Sequence, residues 1–519
     1  MADILYFLIL KLAPDFAAIE TGVGEALVVN AISKACGKNV KEIRALKKDE
    51  GDLGTVVQIS KKTTGTLGGF FKKAKAVDDD KKYLKFNHVF SEFRRIASLS
   101  GQSSAAAKES VIVKLLQAGT NDEAKFVVRF LLKTMKTGAA EKTVLMALSR
   151  AITYTPPNKP TVMNTKKEIG SAAFVERCQL VEHAIKQAVC ECPDYALIVK
   201  RLLVVGDDHL ALPKLCRMRV GVPVKPMLAK PTTGVHVVLE RFKDIEFTCE
   251  YKYDGFRGQV HYQRDKKTDG CKIFSRNLED MTVAYPDVQR IVEELVAADE
   301  TVNDFIIDSE LVAYDTVADK ILPFQNLSQR SRKHVNEKDL KTRVAIQAFD
   351  LIYLNGRSLL RETFAERRKI LRSTFKENHG SFMLAVGKDT SNFEDLEAFL
   401  DASIKDCCEG LMVKTLTVNS TYEPSKRSFN WLKLKKDYLD GGLGDTVDLC
   451  VVGADHGQGK RTGWYCSYLM AAWNEELEQF QSVCKVGTGF SDEEFVKFKK
   501  QLDELVLTDD GPAESVRIK

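Results

Sequence analysis

The feature that most constrains this chain is a change of hydrophobic period near its middle. Up to about residue 215 apolar residues recur at helical spacing; Leu180, Val181, Ala184, Ile185, Ala188 and Val189 fall on one helix face. VIVKLLQAG and KFVVRFLLKTM repeat that spacing, with Lys-, Ser- and Gly-rich stretches such as LSGQSSAAAKE between them. From residue 247 the period is two: Phe247, Cys249 and Tyr251 alternate with Thr248, Glu250 and Lys252. DFIIDSELVAYD and QAFDLIYLNG also read as strands and Asp287 to Ala297 as a helix between them, so this part is α+β. The Pro-rich stretch from Gly221 to Pro231 reads as the linker joining the two regimes. Beyond residue 438, TVDLCVVGA, WYCSYLMAAW and QSVCKVG are strand candidates, and Ser491 with Glu494 has the spacing of a capping box opening a helix. The pattern predicts three domains: 1–219 helical, 220–437 α+β and 438–519 β-rich. A chain of 519 residues is too long for one core and accommodates them.

No run is long and apolar enough to span a bilayer. The opening MADILYFLILKLAP lacks a basic leader and reads as a buried first helix. A net charge of +5 permits a nucleic-acid partner without requiring one, because only clustered charge steers phosphate. The twelve cysteines include no C-x2-C pair to begin a zinc site, and read as reduced thiols of an intracellular protein.

The strongest local signal is Glu250-Tyr-Lys-Tyr-Asp-Gly-Phe-Arg257. On a strand Glu250 and Lys252 share one face, and Gly255 then lets the backbone turn and approach a ligand. Alone this is no more than suggestive, since a strand lysine is ordinarily solvated. Its companions add weight: Ser275-Arg276-Asn277, Asp308-Ser309-Glu310, Glu409-Gly-Leu-Met-Val-Lys414 and Trp431-Leu-Lys-Leu-Lys435 follow in order. In the last, Trp431, Lys433 and Lys435 share a strand face, with Leu432 and Leu434 on the core face. Two ammonium groups aimed from one strand suit a polyphosphate.

These five segments, in this order, resemble the nucleotidyltransferase motifs of ATP-dependent DNA ligases. FDLIYLNG, EGLMVKT and NWLKLKKDYLDG resemble the eukaryotic DNA ligase I type, and LAPDF, GVGE, GDLGTV and TPP resemble its helical DNA-binding domain. The resemblance implies a multidomain fold: an all-α DNA-binding domain (1–219), an α+β adenylation domain (220–437) and a partial OB-fold β-barrel (438–519). It implies a nuclear ligase of replication, repair and recombination, with nicked double-stranded DNA as partner and ATP and Mg2+ as cofactors. Lys252 would attack the α-phosphate of ATP and become covalently adenylated; AMP would pass to the 5′-phosphate at a nick, and the 3′-hydroxyl would displace it. Glu250 would contact adenine, Arg257 and Arg276 the ribose side or phosphate, and Phe349 would stack on the base. Glu310 and Glu409 would hold magnesium, and Lys414, Lys433 and Lys435 would contact the α-phosphate region. ATP is preferred over NAD because no zinc-type cysteine cluster is present.

In one respect the sequence departs from that pattern. The family's barrel carries an Arg-x-Asp-Lys-type segment acting on pyrophosphate, which is not found here, and three strand candidates are too few for five-stranded closure. The expectation is a fragment, or a ligase impaired in self-adenylation. An RNA ligase or capping enzyme and a non-catalytic nick-binding protein are the alternatives; the long helical region argues against the first. Lys133, Lys136 and Gly138 suit either a helix end offered to DNA or a solvated face, and Gln329 to Lys333 either a phosphate clamp or a solvated loop. Finally, Leu67, Phe70 and Phe71 match a sliding-clamp box with Thr64 in place of its glutamine; otherwise both rings tuck onto the helical domain. The protein is expected to be a monomer with no membrane association.

Overall fold

The computed structural model describes residues 1–61, 83–157, 164–206, 208–232, 234–266, 270–297, 299–328, 330, 342–435, 448–457, 461–506 and 516–517. The clamp-box residues Leu67, Phe70 and Phe71, and Gln329 with Ser331 to Lys333, lie outside them. Two compact units are present: residues 1–19 with 139–443, and residues 20–138 with 444–519.

Every helix or strand described up to Leu215 is helical. In the second unit, Asp52 caps the helix Leu53–Ser60 by accepting the Thr55 N–H, and receives a two-pronged ion pair from Arg129 (3.0 and 2.7 Å). Gly54 lets this helix lie against Asn121–Leu131; a Cβ there would sit 2.7 Å from the Arg129 side chain and 2.9 Å from the Lys125 carbonyl. Close packing and a buried charge pair thus explain why GDLGTV has a glycine and an aspartate. Lys133 pairs with Glu20 and Lys136 lies 3.6 Å from Asp52, so both have protein partners. This unit also holds an antiparallel run of three strands, Cys450–His456, Tyr465–Asn474 and Gln479–Val486, with Val516–Arg517 added in parallel at the edge. The helix Asp492–Asp503 follows, opened by the expected Ser491–Glu494 capping box.

In the first unit the helix Ala2–Leu8 buries Leu5 and Tyr6. Helix Ser171–Glu191 buries Val181, Ala184, Ile185, Ala188 and Val189 as read, but Leu180 is 53% exposed. It sits at the margin of that apolar face, where a single-helix pattern cannot say how far the neighbours reach.

The same unit contains two sheets. Their strands are β1 (Leu228–Thr232), β2 (Phe247–Lys252), β3 (Phe256–Gln263), β4 (Cys271–Ser275), β5 (Asp304–Asp315), β6 (Lys320–Ile321), β7 (Arg343–Leu354), β8 (Arg357–Ser358), β9 (Phe382–Leu384), β10 (Gly387–Lys388), β11 (Gly410–Thr415) and β12 (Arg427–Lys435). The first sheet runs β1-β12-β11-β2-β10; the second runs β4-β3-β5-β7-β8, with β6 on β5 and β9 on β7. Cys249, Leu411, Val413, Leu432 and Leu434 of the first sheet pack on helices Val235–Arg241 and Phe393–Lys405. On β5, Phe305, Ile307, Leu311 and Ala313 face helices Pro286–Ala297 and Phe364–Thr374, while Ile306, Val312 and Tyr314 belong to the clusters packed with first-sheet residues. Period-two alternation therefore gives each sheet one helix-covered face and one face for chemistry.

The stretch from Gly221 to Pro231 is not a loose linker. Val224 and Met227 are fully buried, Gln259 holds Val224 at both N–H and carbonyl, and Leu228–Thr232 is strand β1, parallel to β12. Pro231, the proline within β1, is tolerated because β1 is an edge strand.

Candidate active site

Glu250 and Lys252 end β2 on its uncovered face, as the alternation requires. The chain then turns at Gly255, where a Cβ would lie 2.4 Å from the Leu311 carbonyl oxygen. The glycine permits this close approach to β5, and Gly255 also lines the cleft. From that turn β3 carries Arg257, paired with Glu310 of β5 across the ladder. Gly410 has φ +138°, and a Cβ there would strike the Leu434 carbonyl at 2.2 Å. This sets Glu409 against Lys252, whose carbonyl accepts the Glu409 N–H at 2.8 Å.

The ten side chains expected at the site all line one cleft of about 740 Å³: Glu250, Lys252, Arg257, Arg276, Glu310, Phe349, Glu409, Lys414, Lys433 and Lys435. Lys252 Nζ lies 2.7 Å from Glu409 Oε2, and Lys435 pairs with the same oxygen. Burial alone would raise the Glu409 carboxyl, but the two ammonium groups outweigh it and hold it below its ordinary value. Asp254 moves the other way, raised by burial and by the charge of Glu409. Burial lifts Glu310 to about 7, with Asp308 and Glu409 adding to it and Lys252 and Arg257 opposing. Burial is the main reason both Asp254 and Glu310 are raised, and the carboxylates of Glu310 and Glu409 are hard oxygen donors of the kind that suit a divalent cation such as magnesium. Among the described residues no group of three or more His, Cys, Asp or Glu side chains is placed to hold a metal ion.

Two of these side chains are tied to protein partners within the cleft. Lys414 is 1% exposed: its Nζ donates to Glu250 Oε2 at 2.5 Å and to the Phe349 carbonyl at 3.2 Å, with the Phe349, Phe364 and Trp431 rings within 4.8 Å. In this conformation its ammonium is held by Glu250. Arg257 is anchored in the cleft wall, donating Nε and Nη2 to Asp308 (3.0 and 2.5 Å) and Nη1 to the Met227 carbonyl at 2.8 Å. Tyr422 closes that group by donating to Asp308 at 2.7 Å. Sequence reasoning missed Tyr422 and Met227, which no local motif contains. Asp308 was in view within Asp308-Ser309-Glu310, sharing the strand face of Glu310. Arg276 is exposed at the cleft's edge, and Phe349 meets Trp431 edge-on at 6.3 Å. Arg330, from the basic cluster, is instead buried against Asp287 at 2.6 Å.

By fold and cleft, the middle of the chain is of the nucleotidyltransferase class. Residues 226–435 match the model described as ATP dependent DNA ligase domain, 1–149 the DNA ligase N terminus, and 461–517 the ATP dependent DNA ligase C terminal region. The chain is similar to "DNA ligase 1" of Dictyostelium discoideum, 41% identical over 96% of this chain and 40% of that protein. It is similar to "DNA ligase 1" of Arabidopsis thaliana, at 42% over 93% of this chain and 58% of the relative. "DNA ligase 2" of Thermofilum pendens is 36% identical over 95% of this chain and 76% of its own length. The chain belongs to the ATP-dependent DNA ligase family. It spans less than two thirds of the two eukaryotic relatives. Among the described residues no helix is long and apolar enough to cross a membrane.

Proposed function

We propose that the chain seals nicks in duplex DNA at the expense of ATP, through an adenylate carried on Lys252. The observation that carries this reading is the convergence of Lys252, three further lysines and two arginines with Glu250, Glu310, Glu409 and Phe349 on one cleft. Lys252 Nζ loses its ammonium proton to solvent and, as the neutral amine, attacks the α-phosphorus of ATP; the N–P bond forms as the bond to the bridging oxygen breaks, a second N–H proton goes to solvent, and pyrophosphate leaves. Attack requires Lys252 to leave Glu409, and Lys435, held on the same oxygen, keeps that carboxylate in place when it does. The AMP then passes to the 5′-phosphate of a nick, and the 3′-hydroxyl displaces it. Lys433 and Lys435 offset phosphate charge, since such transfers depend mostly on position and electrostatics. Phe349 takes the base, Glu250 the adenine edge, and Arg257 and Arg276 the ribose side. Lys414 reaches the α-phosphate region only by releasing Glu250. Glu310 and Glu409 would hold magnesium, which when bound supplies neutralisation at the phosphates.

In this reading residues 1–219 form the DNA-binding domain, 220–437 the adenylation domain and 438–519 the OB-fold domain, and the chain acts on a nick as a monomer. Work in the nucleus, in replication, repair and recombination, accords with the eukaryotic relatives. A sliding clamp docking on Leu67, Phe70 and Phe71 rests on sequence alone. The test is a labelled nicked duplex incubated with the chain, ATP and magnesium, and in parallel a pre-adenylated nick without ATP. Joining in the first supports the ligase. Joining only of the pre-adenylated nick identifies an enzyme impaired in its first step. A chain that binds the nick and joins neither is a nick-binding protein, and the proposal is wrong.

A further inference from the structure

The buried hydroxyl of Tyr422 ties the two sheets of the first unit together beside Arg257. Tyr422 belongs to the segment between β11 and β12 of the first sheet, and its N–H is fixed by the Leu360 carbonyl at 3.0 Å. Its hydroxyl oxygen accepts the N–H of Met227, the residue before β1, at 3.1 Å. It also accepts from Nη2 of Arg257 on β3 at 3.2 Å, and it donates to Asp308 on β5 at 2.7 Å. A hydroxyl has one proton and two lone pairs, so its whole capacity is in use. The Met227 carbonyl accepts from Nη1 of Arg257 in turn, which closes a ring of four residues. The aromatic part of Tyr422 points elsewhere: it meets Trp431 edge-on at 5.9 Å, and Trp431 meets Phe349 in the same way at 6.3 Å. One side chain therefore backs the aromatic wall of the cleft with its ring and a guanidinium of the cleft with its oxygen.

We propose that the Tyr422 hydroxyl is a positioning group for nucleotide recognition: it holds Arg257 in the orientation that serves the ribose of ATP, and so sets the discrimination between a ribonucleotide and a 2′-deoxyribonucleotide. This rests on the nucleotidyl-transfer reading given above. The forked pair with Asp308 keeps guanidinium and carboxylate in one plane but does not fix that plane in the cleft wall. Tyr422 touches both members of the pair and, through Met227, the far side of the guanidinium as well, which supplies the missing constraint. A site built to hydrogen-bond a substrate hydroxyl rejects the analogue that lacks it, provided the protein group is held in place. Such a contact is made alike before and during transfer, so loosening it should raise KM and leave kcat alone.

The test is covalent self-adenylation of the full chain and of Tyr422→Phe over a range of ATP and of 2′-deoxyATP. Equilibrium binding of a non-hydrolysable ATP analogue and its 2′-deoxy form is measured alongside. Tyr422→Phe keeps the ring against Trp431 and removes only the oxygen. It should raise the KM for ATP and weaken the analogue by about tenfold, the order lost with a hydrogen bond to a charged group, with kcat nearly unchanged. The preference for ATP over 2′-deoxyATP should shrink by a similar factor, whereas a loosened fold would lower the melting temperature and kcat without moving that ratio. In an Arg257→Gln background the same substitution should add little, because its effect passes through Arg257. Asp308→Asn weakens the ring of contacts from another corner; it should shift the ratio the same way, and it carries the test if Tyr422→Phe does not fold. An unchanged ratio in folded Tyr422→Phe, or an equal loss with and without Arg257, overturns the proposal. A wild type that binds the analogue and forms no adenylate refutes the nucleotidyl-transfer reading instead, and analogue binding then decides the role of Tyr422.

Discussion

Replacing Lys414 by methionine tests the conformation of the cleft as well as its energetics. The substitution keeps the length of the side chain but removes the ammonium that Glu250 accepts at 2.5 Å, amid three aromatic rings. Burial already raises the Glu250 carboxyl, and Lys414 is the principal opposing influence. Without it a carboxylate 4% exposed has lost its charged partner. Breaking a buried pair from one side typically costs about 3–5 kcal/mol. In a unit of this size that corresponds to a fall in melting temperature of roughly 6–15 °C. The pH dependence gives the signature. A carboxyl whose folded value is raised contributes stability below its unfolded value, near the ordinary 4.5, and loses it as pH rises through the folded value. In Lys414→Met that folded value climbs further, so the deficit should be small near pH 4.5 and grow toward neutrality. Adding Glu250→Gln should remove most of the pH dependence. Calorimetry of wild type, both single variants and the double variant between pH 4.5 and 7.5 measures it. A Lys414→Met protein melting within 2 °C of wild type at pH 7.5 would refute a buried Glu250–Lys414 pair.

Three other outcomes follow from the same geometry. Gly54→Ala should destabilise the helical part of the second unit by about 1–3 kcal/mol, because backbone and Arg129 both stand in the way of a Cβ; hydrogen exchange across Leu53–Ser60 and Asn121–Leu131 localises the effect. Asp52, which burial alone would raise, is held below its ordinary value by Arg129 and Thr55. The stability it confers should be present above about pH 4 and fade as pH falls through the lowered value, a dependence that Asp52→Asn should lack in acid unfolding of this region. Gly255→Ala should abolish covalent adenylation even where the protein remains folded, since a Cβ 2.4 Å from the Leu311 carbonyl forces β3 away from β5; gel-shift of labelled protein with ATP checks it.

Much of this was legible because the chemistry sits on strands, where face follows from parity. Trp431, Lys433 and Lys435 turn to the cleft and Leu432 and Leu434 to the helices, as alternation alone foretold. DFIIDSELVAYD is β5 end to end. What parity cannot supply is which side chain pairs with which across the sheet. Lys414 lines the cleft as the resemblance implied, yet its partner is Glu250, some 160 residues away in sequence. The same blindness turned Gly221–Pro231 into a linker: prolines advertise irregular backbone, but only the tertiary fold reveals Val224 and Met227 in the core and a parallel edge strand after them. Nothing local to Arg257 showed that Asp308, Tyr422 and the Met227 carbonyl gather around it and fix its position at the cleft.

The central claim is that Lys252 is the nucleophile, and one measurement meets it directly. The chain is incubated with α-labelled ATP and magnesium, digested, and the adenylated peptide mapped, beside Lys252→Arg treated alike. Label should fall on Lys252 alone and vanish in the variant, because a guanidinium does not surrender its proton to become a nucleophile. Covalent AMP persisting in Lys252→Arg, or mapped to another lysine of the cleft, would contradict the account.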